Sequence, residues 1–218
     1  MSINKTYAVL GLGRYGCAVA KKLADSGAQV LAVDIDEEIV GSLANEVPYC
    51  RCADVTVPEA FELLGIGNVD VAIIAMANSL EASVMAITLC KEAGVETVIA
   101  KCACEMHRKI FTRVGADRVI LPESESGTRL AKNLLSSGFT DMMDLSQEVS
   151  MVESDVPEGW INKNLIELNL RQKYGINVVA VRRGEDVSVN INPQEPLTKD
   201  MKLIVIAQTK TLAKLNRK

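Results

Sequence analysis

Residues 11–16 read Gly-Leu-Gly-Arg-Tyr-Gly, and their surroundings restrict the fold more than any other stretch of the chain. The apolar run Thr6–Leu10 ahead of them has the character of a strand. The segment behind them has helical periodicity as far as Ser26-Gly27. Asp34 closes the next strand, Gln29–Val33, eighteen residues after Gly16. A G-x-G-x-x-G between strand and helix, followed at about that interval by a carboxylate, is the fingerprint of a dinucleotide-binding βαβ unit. Gly11 permits the tight turn, Gly13 lets backbone approach a phosphate, and Gly16 lets the helix pack closely on the strand. The exposed N–H groups and the positive end of the helix dipole then face an anion. Asp34 is placed to accept hydrogen bonds from ribose hydroxyls, and its charge would repel a 2′-phosphate. Arg14, beside Tyr15 in the same turn, can fork onto phosphate oxygens. The competing readings are glycines used only for turning and an Arg14 that is simply solvated.

Strand and helix patterns continue to alternate beyond this unit. Helical stretches are expected over Glu37–Glu46, Val57–Leu64, Asn78–Ala93 and Glu105–Val114, and strands over Tyr49–Cys52, Val69–Ala75, Thr97–Lys101 and Val119–Leu121. Six strands joined by short connections predict an α/β fold, a Rossmann-type doubly wound parallel sheet. Glu123–Ser137 reads as one further helix, ending at Gly138 and leading out of the domain. From Met142 the rhythm changes to strand-like runs at Glu148–Val152, Ile176–Val181, Val187–Val189 and Leu203–Ala207, with a helix around Leu165–Lys173. The expected organisation is a nucleotide-binding domain over 1–140 and a small C-terminal α+β domain over 141–218. The latter is below the size at which a core is comfortably self-sufficient, a deficit that oligomerisation relieves.

A formal net charge of −4 over 218 residues gives no electrostatic footprint for nucleic acid. Met1-Ser2-Ile3-Asn4-Lys5 lacks the apolar core of a signal peptide, and no window approaches roughly 18 uninterrupted apolar residues. A cytoplasmic location is expected, with any membrane role exercised through a partner. The six cysteines then read as reduced thiols. Cys50-x-Cys52 and Cys102-x-Cys104, with His107 nearby, invite a metal reading, but the spacing is not the usual zinc one and the two pairs belong to opposite halves of the expected sheet. The one histidine, His107, falls on a helix, where an exposed or capping role is expected. An NAD-dependent oxidoreductase is the alternative function, although no Ser/His/Asp or Tyr-x-x-x-Lys arrangement is placed for it. A redox-sensing repressor would need a DNA-reading helix and a basic face.

Gly11–Gly16 with Val33-Asp34-Ile35-Asp36, Ala53-Asp54-Val55-Thr56, Gly115-Ala116-Asp117-Arg118-Val119-Ile120 and Pro122-Glu123 together resemble the RCK (KTN) domain. That family comprises regulatory subunits of Trk/Ktr-type bacterial potassium uptake systems. The likeness continues through Leu165, Leu168, Arg171, Tyr174-Gly175-Ile176, Val178–Val181 and Arg183 into a TrkA-C-like domain, and so spans nearly the whole chain. It implies a gating subunit and not an enzyme. Such a subunit acts at the inner face of the membrane through a potassium-translocating partner and forms homodimers that assemble into a ring, an octamer. The implied ligand is ADP/ATP or NAD(H). The glycine turn and Arg14 would hold its phosphates, Asp34 the ribose, and Asp54 with Val55 the adenine edge. Lys101 would lie near the terminal phosphates, and Glu123 near those phosphates or a Mg²⁺ or Ca²⁺ between them. The unaided alternative for Lys101 and Glu123 is ordinary strand-end charge. In the C-terminal domain the resemblance implies a second ligand, cyclic di-AMP, at a two-fold interface near Arg171, Asn177 and Val178. A domain that serves dimerisation alone is the competing reading there. Ala75-Met76-Ala77-Asn78-Ser79 departs from the small residues and Gly-Ala-Asn turn common in relatives, which leaves the choice between ADP/ATP and NAD open.

Overall fold

A computed structural model describes residues 5–135, 139–146 and 148–215. Its compact units are 1–122 and 123–218. In the first, β1 (Thr6–Leu10), β2 (Gln29–Asp34), β3 (Tyr49–Cys52), β4 (Val71–Ile74), β5 (Thr97–Lys101) and β6 (Arg118–Ile120) form one parallel sheet in the order β3-β2-β1-β4-β5-β6. The connections carry α1 (Arg14–Asp25), α2 (Glu37–Leu43), α3 (Pro58–Leu63), α4 (Leu80–Glu92) and α5 (Glu105–Val114). This is the doubly wound topology that the alternation predicts.

The centre of the sheet is covered on both faces, so its central strands are apolar, whereas the edge strands β3 and β6 carry exposed Arg51 and Arg118. All four residues of β4 are buried. Ala8, Leu10, Ala72, Ile74, Val98 and Ala100 pack with Phe111 on one face, while Val9, Val30, Ala32, Val71 and Ile73 pack with Leu12, Ala20 and Leu43 on the other. Asp70 fastens the entry to the sheet: its Oδ2 accepts from the Thr6 N–H at 2.6 Å and the Thr6 hydroxyl at 2.9 Å. α2 stops at Leu43, three residues short of the expected end, because Val47 must turn inward to reach the core ahead of β3.

The second unit takes in α6 (Pro122–Leu135) from Glu123 onward; the expected helix end at Ser137-Gly138 lies outside the described residues. β7 (Phe139–Asp144), β8 (Val149–Asp155), β9 (Asn177–Arg183), β10 (Asp186–Ser188) and β11 (Met201–Gln208) make an antiparallel sheet ordered β10-β9-β11-β8-β7. Val152, Val181, Leu203, Val205 and Ala207 form its core with Ile176, Leu168 and Leu212. The helix expected over Leu165–Lys173 is two helices, α7 (Leu165–Leu168) and α8 (Leu170–Tyr174). They break at Asn169, which adopts φ +45°, a left-handed conformation that asparagine tolerates better than most residues. β7 and α9 (Thr209–Leu215) have no counterpart in the sequence expectation. β7 is an edge strand of weak intrinsic propensity, recruited by pairing with β8, and Leu212 of α9 is buried in the core.

Candidate nucleotide site

Parallel strands place all their C-terminal ends along one edge, and the order reverses between β1 and β4. In such sheets ligands bind in the crevice at that reversal. Gly11 lies there with φ +93°, in the left-handed region, and its N–H donates to the Val33 carbonyl at 2.8 Å. A Cβ added to Gly11 would meet Met76 Cγ at 2.6 Å. A Cβ on Gly16 would meet the Gly11 carbonyl oxygen at 1.9 Å and Ala75 Cβ at 3.3 Å. The close approach that Gly16 serves is therefore of α1 onto the glycine turn itself and onto the residue following β4. The middle glycine differs: nothing lies within 4 Å of a Cβ built on Gly13, which caps the N-terminus of α1. The space in front of the helix start is thus open to an anion, where backbone N–H groups and the helix dipole favour a phosphate. No acidic residue occupies the first turn of α1, and exposed Arg14 stands there instead. A cation at a helix N-terminus opposes the dipole, so an anionic partner would stabilise this arrangement.

Asp34 ends β2 and binds the turn directly. Its Oδ2 accepts from the Leu12 N–H at 2.5 Å and its Oδ1 from the Asp36 N–H at 3.0 Å. Each carboxylate oxygen has a second lone pair for a ribose hydroxyl, so Asp34 can both shape the turn and bind sugar. Cys17 secures the turn from beneath, its thiol donating to the Leu12 carbonyl at 2.8 Å. Burial pushes that thiol's pKa up.

Beyond β3, the Ala53 N–H donates to the Asp34 carbonyl at 2.9 Å, which brings Asp54 next to the end of β2. Asp54 Oδ1 accepts from the Thr56 hydroxyl at 2.7 Å and the Thr56 N–H at 2.9 Å. Those bonds hold the Asp54 carboxyl below its ordinary range. Thr56, which carries no assigned role in the sequence expectation, is thus what orients Asp54. Val55 is 4% exposed within the core, so toward a ligand it has only its backbone to offer.

On the opposite half, Lys101 ends β5 and its Nζ lies 5.7 Å from the centre of the Tyr15 ring. A cation–π contact of this kind brings Lys101 to the same helix start as Arg14. Glu123 is exposed on α6, in the second compact unit.

The cysteine pairs separate as the topology requires: three strands stand between β3 and β5. Cys50 and Cys102 are buried with their thiols directed at the Val47 and Ile120 carbonyls, while Cys52 and Cys104 are exposed. Among the described residues no three His, Cys, Asp or Glu side chains converge as a metal site. His107 is neither exposed nor a cap. It is half-buried on α5 with its ring 6.0 Å from that of Phe111, and among the described residues its buried Nδ1 has no hydrogen-bond partner.

In the C-terminal unit, Arg171 is exposed on α8 and Asn177 is exposed at the start of β9, opposite Ile206 of β11. Val178 is half-buried against the core. Also among the described residues, no helix is long and apolar enough to cross a membrane.

Residues 7–122 match the TrkA-N domain family and residues 151–218 the TrkA-C domain family. The Ktr system potassium uptake protein C of Bacillus subtilis (strain 168) is 33% identical over 216 residues, covering 99% of this chain and 98% of its own. The Ktr system potassium uptake protein A of Vibrio alginolyticus is 35% identical over 184 residues, 84% of each chain. A solved structure of the GsuK channel bound to NAD superposes with a TM-score of 0.65 at 15% identity, over 98% of this chain and 39% of the channel's. That last likeness is one of fold, and the chain spans less than half the channel's length.

Proposed function

The chain belongs to the TrkA-N/TrkA-C family of potassium-uptake regulators, and from that premise we propose that it is a nucleotide-gated subunit controlling a membrane potassium-translocating partner. The observation that supports nucleotide control is the unobstructed helix start at Gly13, with Asp34 bound to the turn beside it and Lys101 over the Tyr15 ring that follows Arg14. A carboxylate for ribose hydroxyls and cations with a helix N-terminus for phosphates suit a nucleotide. Adenine nucleotides, ADP/ATP or NAD(H), are the ligand class, with Asp54 and the Val55 backbone at the adenine edge. The role of Glu123 toward a phosphate-bound Mg²⁺ or Ca²⁺ rests on the family resemblance alone.

Gating follows from differential affinity. A nucleotide that binds one state of an assembly better than another shifts the equilibrium by that difference and no more. The chain itself would act as regulator and not as enzyme, from the cytoplasmic side, with the membrane partner reading its state. Assembly as dimers within an octameric ring is supported by α6, where Leu130 and Leu134 are 60% and 77% exposed on one helix face. Cyclic di-AMP at a two-fold C-terminal interface involving Arg171, Asn177 and Val178 is the proposed second input, since a two-fold ligand matches a two-fold interface.

Thermal unfolding of the purified chain with ADP, ATP, NADH and cyclic di-AMP tests both inputs, because a ligand of the native state raises its stability. Saturable stabilisation by at least one adenine nucleotide is expected. Its absence in a folded sample would remove the first input, and absence of a cyclic di-AMP response the second. Light scattering that finds a 23.6 kDa monomer would overturn the assembly.

A further inference from the structure

Met76 supplies a constraint that the glycine fingerprint does not contain. Its Cγ lies so close to the glycine that opens the turn that a Cβ at Gly11 would force Met76 or the turn to shift. The backbone holds it there. The Ala75 N–H donates to the Leu10 carbonyl at 2.7 Å, and the Met76 carbonyl accepts from the Ser79 N–H at 3.0 Å. The same carbonyl accepts from the Ser83 hydroxyl at 3.0 Å, and Ser83 is fully buried. The segment after β4 is thereby pinned onto the end of β1, at the point where the strand order reverses.

A dinucleotide crosses that reversal from one half of the sheet to the other. Asp34 marks the adenosine half, on the β2 side. The second half must pass the β1–β4 junction toward β4 and β5, where half-buried Met76 stands with its Cγ beside Gly11 and Lys101 lies over Tyr15. A terminal phosphate ends at the cations Arg14 and Lys101 and needs no room beyond them. A nicotinamide riboside needs room for a second sugar and a flat ring, and gains no ion pair from Lys101.

We propose that Met76 sets the ligand class of this site. Its side chain fills the crevice between β1 and β4, admitting mononucleotides with terminal phosphates and excluding the second half of a dinucleotide. This deepens the nucleotide reading above and rests on it.

Calorimetry of ADP and NADH with the full chain tests the proposal. The parent binds ADP more tightly than NADH. Met76→Ala raises NADH affinity relative to ADP by about tenfold or more, the scale of steric discrimination in an apolar pocket, while ADP affinity stays within about threefold. Met76→Leu, which conserves volume, keeps the parent's ratio. Should alanine unfold the chain, Met76→Val shortens the side chain more gently and must move the ratio in the same direction. A parent that binds NADH as tightly as ADP overturns the proposal, as does an unchanged ratio in a folded shortened variant that still binds ADP. If the folded parent binds neither nucleotide, the nucleotide site itself fails, an outcome distinct from the loss of selectivity alone.

Discussion

The carboxylate of Asp34 and the backbone N–H of Leu12 are 2.5 Å apart, which makes the residue expected to hold a ribose also the residue that shapes the glycine turn. Removing it has two consequences. Asp34→Ala should abolish measurable adenine-nucleotide binding and also cost about 1–3 kcal/mol of stability, the usual penalty for losing a charged hydrogen-bond partner. Asp34→Asn keeps one acceptor oxygen for Leu12 and should recover most of the stability but not the affinity. Calorimetry and thermal unfolding on both variants separate the two effects, and equal stability of the alanine and parent chains would show that Asp34 does not brace the turn.

Gly13 and Gly16 are three residues apart and should respond oppositely to alanine. At Gly16 the new Cβ would sit 1.9 Å from the Gly11 carbonyl oxygen. Backbone must then move, with an overpacking penalty of about 1–3 kcal/mol. At Gly13 the Cβ meets nothing within 4 Å and φ is −62°, which alanine adopts freely. Gly13→Ala should leave thermal stability unchanged yet weaken ADP binding, since the methyl occupies the space a phosphate needs. Loss of stability in Gly13→Ala would mean that this glycine has a purely architectural task.

Thiol reactivity should divide by burial. Cys90 is fully buried in α4, and desolvation pushes its thiol up to about 12. Burial also raises the thiols of Cys17, Cys50 and Cys102. Because the thiolate is the reacting species, iodoacetamide at pH 8 should label the exposed Cys52 and Cys104 first and Cys90 last. Mass spectrometry of timed samples reads the order directly, and early labelling of Cys90 would contradict the packing of α4 on the sheet.

Acid should destabilise the chain in a window that these carboxylates define. Lys132 and the Ser150 hydroxyl hold the Asp144 carboxyl below its ordinary value, and Thr56 does the same for Asp54. A carboxylate whose folded pKa is depressed contributes stability that is complete above its unfolded value, about 3.9, and lost as pH falls through the folded one. Urea unfolding should therefore show stability declining below about pH 4. Asp144→Asn, already weaker at neutral pH, should decline less steeply than the parent. A parallel decline in both would exclude Asp144 as a contributor.

The parts of this protein that the sequence determines are those encoded by neighbours in the chain. Thr6–Leu10, the glycines at 11, 13 and 16 and the carboxylate at 34 carry their meaning in local spacing, because strand and helix periods and the turn's φ requirement act over a few residues. The six strand–helix repeats are legible for the same reason: a parallel sheet buried on both faces demands continuous apolar strands, and the connections must be helices. Tertiary structure decided whatever depends on residues far apart in sequence. β7 is a strand because β8 offers it a partner, and α9 forms where Leu212 can be buried. Asn169 breaks a helix that its sequence would allow to continue. Asp34 acquires a second task because Leu12 folds back onto it. Met76 comes up against Gly11 because β4 lies beside β1, although 65 residues separate the two. Lys101 meets Tyr15 only once β5 has joined the sheet. Contacts of this kind cannot be read from spacing, since burial and pairing energies depend on which surfaces meet, and that is settled only when the whole chain has closed.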